Sequence, residues 1–233
     1  ETGLSSDPAM NWRLSVLDRY ALISNSDSHS ARRIGREANV FNCEQAYDEI
    51  LGAIRRKDRA KFLYTVEFFP EEGKYHLDGH RNCKIRWTPE ESRRNGFRCP
   101  VCGRRVTVGV MHRIEKLADR AEGHQPSSAI PYKNLVPLEE IIADALGVGV
   151  GTQTVDREYF NLLDRCGTEF AVLLKAPEED LRKATSARIA EGIVHVRNRQ
   201  VHIDPGYDGE YGHVRIFGES HPVVPAEQQM TLF

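Results

Sequence analysis

Apolar positions along the chain fall into short clusters, separated by polar breaks marked with glycine, proline, serine or asparagine. Near the start, Asp7 and Pro8 form an N-cap and first-turn pair, and Met10, Leu14 and Leu17 would share one face of the helix that follows. Residues 20–24 are a short apolar run, predicted to be a buried strand. It ends in Asn25-Ser-Asp-Ser-His29, and residues 32–37 continue as a polar, glycine-containing loop. Asn42 with Gln45 reads as a capping box for a second helix, whose stripe is Tyr47, Ile50, Leu51 and Ile54. Arg55, Arg56 and Lys57 suit its C-terminal end. Strand, loop and helix in that order make an α/β unit.

Further on, residues 62–69 read as an apolar, β-branched strand ending at Pro70, and a domain boundary is expected near Lys61. Residues 106–110 read as a strand and 110–121 as a helix, and Gln125-Pro-Ser-Ser as a linker. Pro137 opens a helix with Leu138, Ile141, Ile142 and Ala145 on one face, stopped at Gly147. Helices are also predicted over 156–165 and after Pro177. Residues 193–196 and 201–203 alternate around Asn198-Arg199 and suggest a hairpin. Residues 205–212 form a turn-rich loop, 213–217 a last strand, and a tail follows from Ser220.

Composition changes this picture only in places. At 233 residues, with 40% hydrophobic and 28% charged positions, the chain has material for a core or for two or three small domains. No apolar run approaches the roughly 20 residues of a membrane span, and no secretory signal is expected. A membrane partner is not expected. The chain opens on Glu1 rather than methionine, so a fragment or processed product is expected. Five cysteines suit a reducing compartment better than a disulfide scaffold. The net charge of -2 hides a basic stretch, because residues 79–105 hold eight Lys or Arg against Glu90 and Glu91, a local +6. Arg86, Arg104 and Arg105 belong to it. Such a patch fits a polyanion.

The most specific chemistry runs from His80 to Cys102. His80-Arg-Asn-Cys83 and Cys99-Pro-Val-Cys102 are two ligand pairs, each spaced by two, with fifteen residues between them. That is a tetrahedral zinc pattern, closed and therefore structural. His76 and His112 compete with His80 for the fourth position, and Cys43 and Cys166 are expected to be reduced core thiols. Asp27-Ser-His29 places a carboxylate and an imidazole on one side of an extended segment, suited to a divalent metal that activates water. The turn at Ser5-Ser6-Asp7 is a second wall for such a site. Leu146-Gly147-Val148-Gly149 has the form of a DNA-backbone-binding helix-hairpin-helix turn. Gln229-Met-Thr-Leu-Phe233 is a short extended peptide of the kind that docks in a groove.

Several separated stretches resemble endonuclease Q, a prokaryotic DNA-repair nuclease built on a polymerase-and-histidinol-phosphatase (PHP) domain. They are Glu1-Thr-Gly-Leu-Ser-Ser-Asp-Pro, Ile23-Ser-Asn-Ser-Asp-Ser-His29, Gly35-Arg-Glu-Ala-Asn-Val-Phe41, Tyr75-His-Leu-Asp-Gly-His-Arg-Asn-Cys83, Cys99-Pro-Val-Cys102 and Gly206-Tyr-Asp-Gly-Glu-Tyr-Gly212. The resemblance implies an α/β chain. Residues 1–60 would be the C-terminal end of a PHP domain, a distorted β/α barrel, and 61–122 a small zinc-binding domain. Residues 123–219 would be an α+β C-terminal domain, and 220–233 a tail.

It also implies hydrolysis of the phosphodiester 5′ to uracil, hypoxanthine, xanthine or an abasic site. Catalytic divalent metals (zinc, manganese or magnesium) would be held partly by Asp27 and His29, with the remaining ligands, an early His-x-His among them, upstream of Glu1. Ser5 and Ser6, with Arg86, Arg104 and Arg105, are the expected substrate contacts. Gln229, Met230, Leu232 and Phe233 resemble the peptide that binds the bacterial sliding clamp, which implies a bacterial, cytoplasmic and nucleoid-associated protein. Two other readings remain open: a zinc-stabilised, clamp-tethered DNA binder without catalysis, and another PHP-type phosphoesterase. No Gly-x-x-x-x-Gly-Lys-Ser/Thr is present, so an ATPase is not expected.

Overall fold

A computed structural model describes residues 1–218 as a mixed α/β chain of small sheets and mostly short helices. Helix α1 (Pro8–Trp12) starts as expected, with the Asp7 side chain accepting from the Met10 amide at 2.9 Å and Pro8 in the first turn. It stops sooner than the apolar stripe suggests. Leu14 is extended, and Ser15–Leu17 form a separate 3-10 turn. The Ser15 amide bonds to Asp119 Oδ1 at 2.8 Å, which draws the chain away from the helix axis.

Residues 20–24 join no ladder, and Tyr20 lies in a bend, so the expected strand is absent. Side chains take the ladder's place. Asn39 accepts from the Ser24 amide at 3.0 Å and donates to the Ser24 carbonyl at 2.7 Å, while Ser24 Oγ donates to the Val66 carbonyl at 2.7 Å. The strand on this flank is β1 (Ala38–Phe41), directly after the predicted loop. It runs antiparallel to β2 (Phe62–Glu67), and the Phe41 and Phe62 rings stack at 4.6 Å. Asn42 caps nothing. Its amide bonds to the Lys61 carbonyl at 2.7 Å and so extends the strand pairing. Helix α2 (Tyr47–Arg56) therefore begins after Ala46. Tyr47 is exposed; Ala53 is the buried member, packed with Phe62 and Ile130, and Ala21, Ile23, Phe41 and Ile54 close over them.

The chain then forms the hairpin of β3 (Asp78–His80) and β4 (Ile85–Trp87), followed by α3 (Pro89–Arg94). Thr88 and Glu91 make a reciprocal capping box at the start of α3. Residues 106–110 are not a strand: Thr107 forms a single bridge to Gly79, and α4 (Val110–Leu117) follows at once. This helix ends before Ala121 because the amides of Asp119 and Arg120 turn to the Arg13 carbonyl. Strand β5 (Tyr132–Asn134), just past the predicted linker, pairs parallel to β2 and completes a β1-β2-β5 sheet.

Five helices follow: α5 (Leu138–Leu146), α6 (Gln153–Cys166), α7 (Glu169–Leu174), α8 (Glu178–Ala184) and α9 (Ala187–Arg197). The stripe of α5 is buried as predicted, and Gly147 ends the helix in the left-handed region at φ 66°. The expected hairpin at 193–203 is instead α9. Ser186 caps it, and Ile189, Ala190, Ile193 and Val196 are buried at helical spacing. A two-residue alternation read over four residues was too short to exclude this period. The strands β6 (His202–Asp204) and β7 (His213–Arg215) flank the loop at 205–212.

The described residues form two compact units. One comprises residues 1–135 and 203–214, the other 136–202 and 215–218. The β1–β2 and β2–β5 pairings run across positions 61 and 123, where the sequence suggests divisions. Among the described residues no helix is long and apolar enough to cross a membrane.

Candidate functional site

The zinc pattern closes into one site. His80 ends β3, and the 3-10 turn Arg81–Cys83, with Lys84 left-handed behind it at φ 53°, swings Cys83 back beside it. The second pair sits on a tight turn. The Cys99 amide donates to the Arg104 carbonyl and the Gly103 amide to the Cys99 carbonyl, both at 2.8 Å, with Gly103 left-handed at φ 72°. The donor atoms of His80, Cys83, Cys99 and Cys102 all lie within 4.8 Å of one another, and His80 Nδ1 is 3.8 Å from Cys102 Sγ. Donors around a tetrahedral zinc stand roughly 3.5–3.8 Å apart, so the four residues fit that ion.

The competing histidines are otherwise engaged. His112 Nδ1 bonds to Asp78 Oδ2 at 2.8 Å, and His76 is buried away from the cluster, where burial lowers its pKa. Thiol ionisation points the same way. Burial, with the Cys102 and Cys99 sulfurs beside it, pushes the Cys83 thiol up to about 11. Burial also opposes ionisation of Cys99, but the amides of Cys102 and Val101 outweigh it and hold that thiol low. Three clustered thiols resist full ionisation until a cation offsets their charge.

The other expected site residues are less gathered. Asp27 and His29 are both exposed. Asp27 is left-handed at φ 47°, so the segment is not uniformly extended and the two side chains do not simply share a side. His29 Nδ1 lies 2.8 Å from the Asp27 carbonyl oxygen. Among the described residues no third metal donor joins them. Ser5 is exposed at the end of a 3-10 turn, whereas Ser6 donates to the Thr2 carbonyl at 2.7 Å and accepts from Asn11. Arg86 pairs with Asp204 and leans on the Tyr207 ring, while Arg104 and Arg105 are exposed. The Leu146–Gly149 stretch joins α5 to α6, with Val148 and Val150 exposed. Gln229, Met230, Leu232 and Phe233 lie outside the described residues.

Two polar groupings escaped sequence reasoning. Asp78, fully buried, also accepts from the Gly109 amide at 2.7 Å and so ties α4 to the zinc hairpin. Glu67 is fully buried and accepts from Thr65 Oγ1 at 2.5 Å and Thr2 Oγ1 at 2.9 Å. Burial pushes it up to about 7. Burial, and then the charge of Glu67, push the neighbouring Glu37 up to about 8. The signal was a glutamate inside the apolar run Phe62 to Phe69.

Several known proteins resemble this chain. A family model described as the MJ0043 C-terminal domain matches residues 137–200. The Methanocaldococcus jannaschii protein MJ0043 is 33% identical over 92% of this chain and 28% of its own length. The Bacillus subtilis protein YqxK is 33% identical over 92% of this chain and 52% of its own. Among solved structures, the lesion-specific endonuclease PfuEndoQ from Pyrococcus furiosus superposes with a TM-score of 0.83 at 33% identity, over 93% of this chain and 54% of that one. Endonuclease Q in complex with a 27-mer duplex substrate, with an abasic lesion at the active site, gives 0.78 at 33% identity, over 93% and 55%. The chain thus spans about half the length of these structures, and in both sequence and fold the solved structures it resembles are endonuclease Q proteins.

Proposed function

We propose that this chain is part of a DNA-repair endonuclease that hydrolyses the phosphodiester 5′ to a deaminated base (uracil, hypoxanthine or xanthine) or an abasic site. The observation that carries the reading is the match in fold and sequence to lesion-specific endonuclease Q across nearly the whole chain. In this reading residues 1–60 are the end of a PHP-type barrel. The zinc held by His80, Cys83, Cys99 and Cys102 is structural, because its four positions are filled. It fixes a loop whose exposed Arg104 and Arg105 face DNA.

Asp27 and His29 are donors of the right kind for a catalytic divalent metal, but two exposed donors do not make a site. Both residues are assigned to a hydrolytic centre whose other ligands are not among the described residues. The tail Gln229-Met-Thr-Leu-Phe233 is assigned to the bacterial sliding clamp on its sequence alone.

The test is a nicking assay on a duplex with one uracil, using a form of the protein as long as its relatives. Asp27→Ala should abolish cleavage and leave DNA affinity within about two-fold. Cleavage retained in that variant would remove Asp27 from the chemistry. The incomplete donor set favours one second reading, a zinc-stabilised, clamp-tethered DNA-binding module without catalysis. It predicts lesion-independent binding and no nick from the longer form as well.

A further inference from the structure

Beside the zinc turn lies a groove of which only Arg105 figures in the reading above. Its volume is about 410 Å³, the size of a site for a small organic ring rather than for an ion. One side is the hairpin around the zinc turn, where the Val106 amide donates to the Phe97 carbonyl at 3.0 Å. The other side is α4. The floor is apolar, made by Phe97, Val106 and a Val108 that is 51% exposed. Arg105, Arg113 and Lys116 form the rim, and no carboxylate lines the groove. Elsewhere in this module Arg86, Arg93 and Arg94 are paired with Asp204, Glu115 and Glu90. The three rim cations make no ion pair among the described residues.

His112 completes the wall, edge-on to the Phe97 ring at 5.2 Å. Its Nδ1 bonds to the carboxylate of buried Asp78 at 2.8 Å, which fixes the ring and leaves Nε2 outside that bond. An apolar floor with an aromatic edge, a fixed imidazole and three unpaired cations matches one kind of occupant in particular. Phosphates complement the rim, a flat base face complements the floor, and the polar edge of a base complements the imidazole. A paired base hides its faces in the stack, whereas an unpaired one presents them.

We infer that this groove binds an unpaired nucleotide of a DNA strand. Arg105, Arg113 and Lys116 hold the backbone, Phe97 and Val108 hold the base, and Asp78 is a positioning residue for His112. The inference rests on the DNA reading above and adds a subsite to it.

Fluorescence anisotropy of the whole 233-residue chain tests it. The probes are one labelled oligonucleotide of mixed sequence as a single strand, and the same sequence as a blunt duplex. Val108→Asp places a carboxylate on the exposed floor. It should weaken single-strand binding about ten-fold or more and duplex binding by less than about two-fold. The surface double variant R113A/K116A should weaken single-strand binding and flatten its salt dependence. Zinc content and far-ultraviolet circular dichroism matching the wild type check both folds. Equal losses for both probes, no loss in either variant, or displacement of the single strand by polyglutamate as effective as by unlabelled oligonucleotide would each overturn the groove and leave the DNA reading standing. A wild-type chain that binds neither probe would overturn both.

Discussion

Glu67 sits at the end of a strand whose neighbours are Val66, fully buried, and Phe68. A carboxylate there would be costly, and the two threonine hydroxyls only partly offset the lost water. With Glu37 close by, the pair favours the protonated state, at about 7 for Glu67 and about 8 for Glu37. The sign follows from linkage. Folded pKa values raised above the ordinary 4.5 give stability that is fully present below pH 4.5 and lost as pH rises through 7 to 8. Melting temperature should fall between pH 5 and pH 9, with a loss on the order of a few kcal/mol. Glu37→Gln should flatten that fall. A wild-type melting temperature that rises over this range would contradict the assignment. At this scale the zinc ligands were legible, because soft donors at fixed spacing have few other uses. Asp27 and His29 were legible as types only. The left-handed backbone at Asp27 is set by its surroundings and left no local mark in the sequence.

Elements were legible where a local cap and a periodic stripe agreed. Asp7-Pro8, Pro137 with its stripe, and Gly147 each marked a real helix boundary. They were lost where tertiary hydrogen bonds replaced local ones. Asn42 looked like a cap but is held by Lys61 across the sheet, and residues 20–24 have a strand's composition, yet Ser24 bonds to the side chain of Asn39 rather than to a neighbouring strand. β1 and β5, of four and three residues, are too short to carry a period of their own and form against β2.

The zinc hairpin is a case where the metal should replace the missing core. The residues between Cys83 and Cys99 are mostly polar, and Phe97 and Trp87 are only half-buried. Chelation, or Cys99→Ser, should remove one zinc per chain and lower the melting temperature by about 10 °C or more. Inductively coupled plasma analysis beside a thermal melt reads both. Less than one zinc per intact chain, or an unchanged melt on chelation, would contradict a structural ion.

On the scale of the whole molecule, what could be read was the order of motifs, and from it the resemblance to endonuclease Q. The way the chain divides was much less visible. The first unit takes in residues 203–214, which return after the helical segment: the Arg81 amide donates to Asp208, the Leu77 amide to the Gly206 carbonyl at 2.9 Å, and the Tyr207 ring covers Gly79. Such long-range returns depend on contacts between residues more than a hundred positions apart, which a linear scan does not weigh. Deleting Gln229 to Phe233 should remove capture by an immobilised bacterial sliding clamp and leave DNA affinity unchanged. Capture that survives the deletion would place the contact elsewhere.

The proposed activity turns on where a strand is cut. The direct measurement is mapping of the nick on an end-labelled duplex carrying a single uracil or abasic site, using a form of this protein as long as its relatives. The expected product is a break on the 5′ side of the lesion, absent from undamaged duplex and from the Asp27→Ala variant. A break on the 3′ side, equal cutting of undamaged DNA, or no break at all would contradict the account.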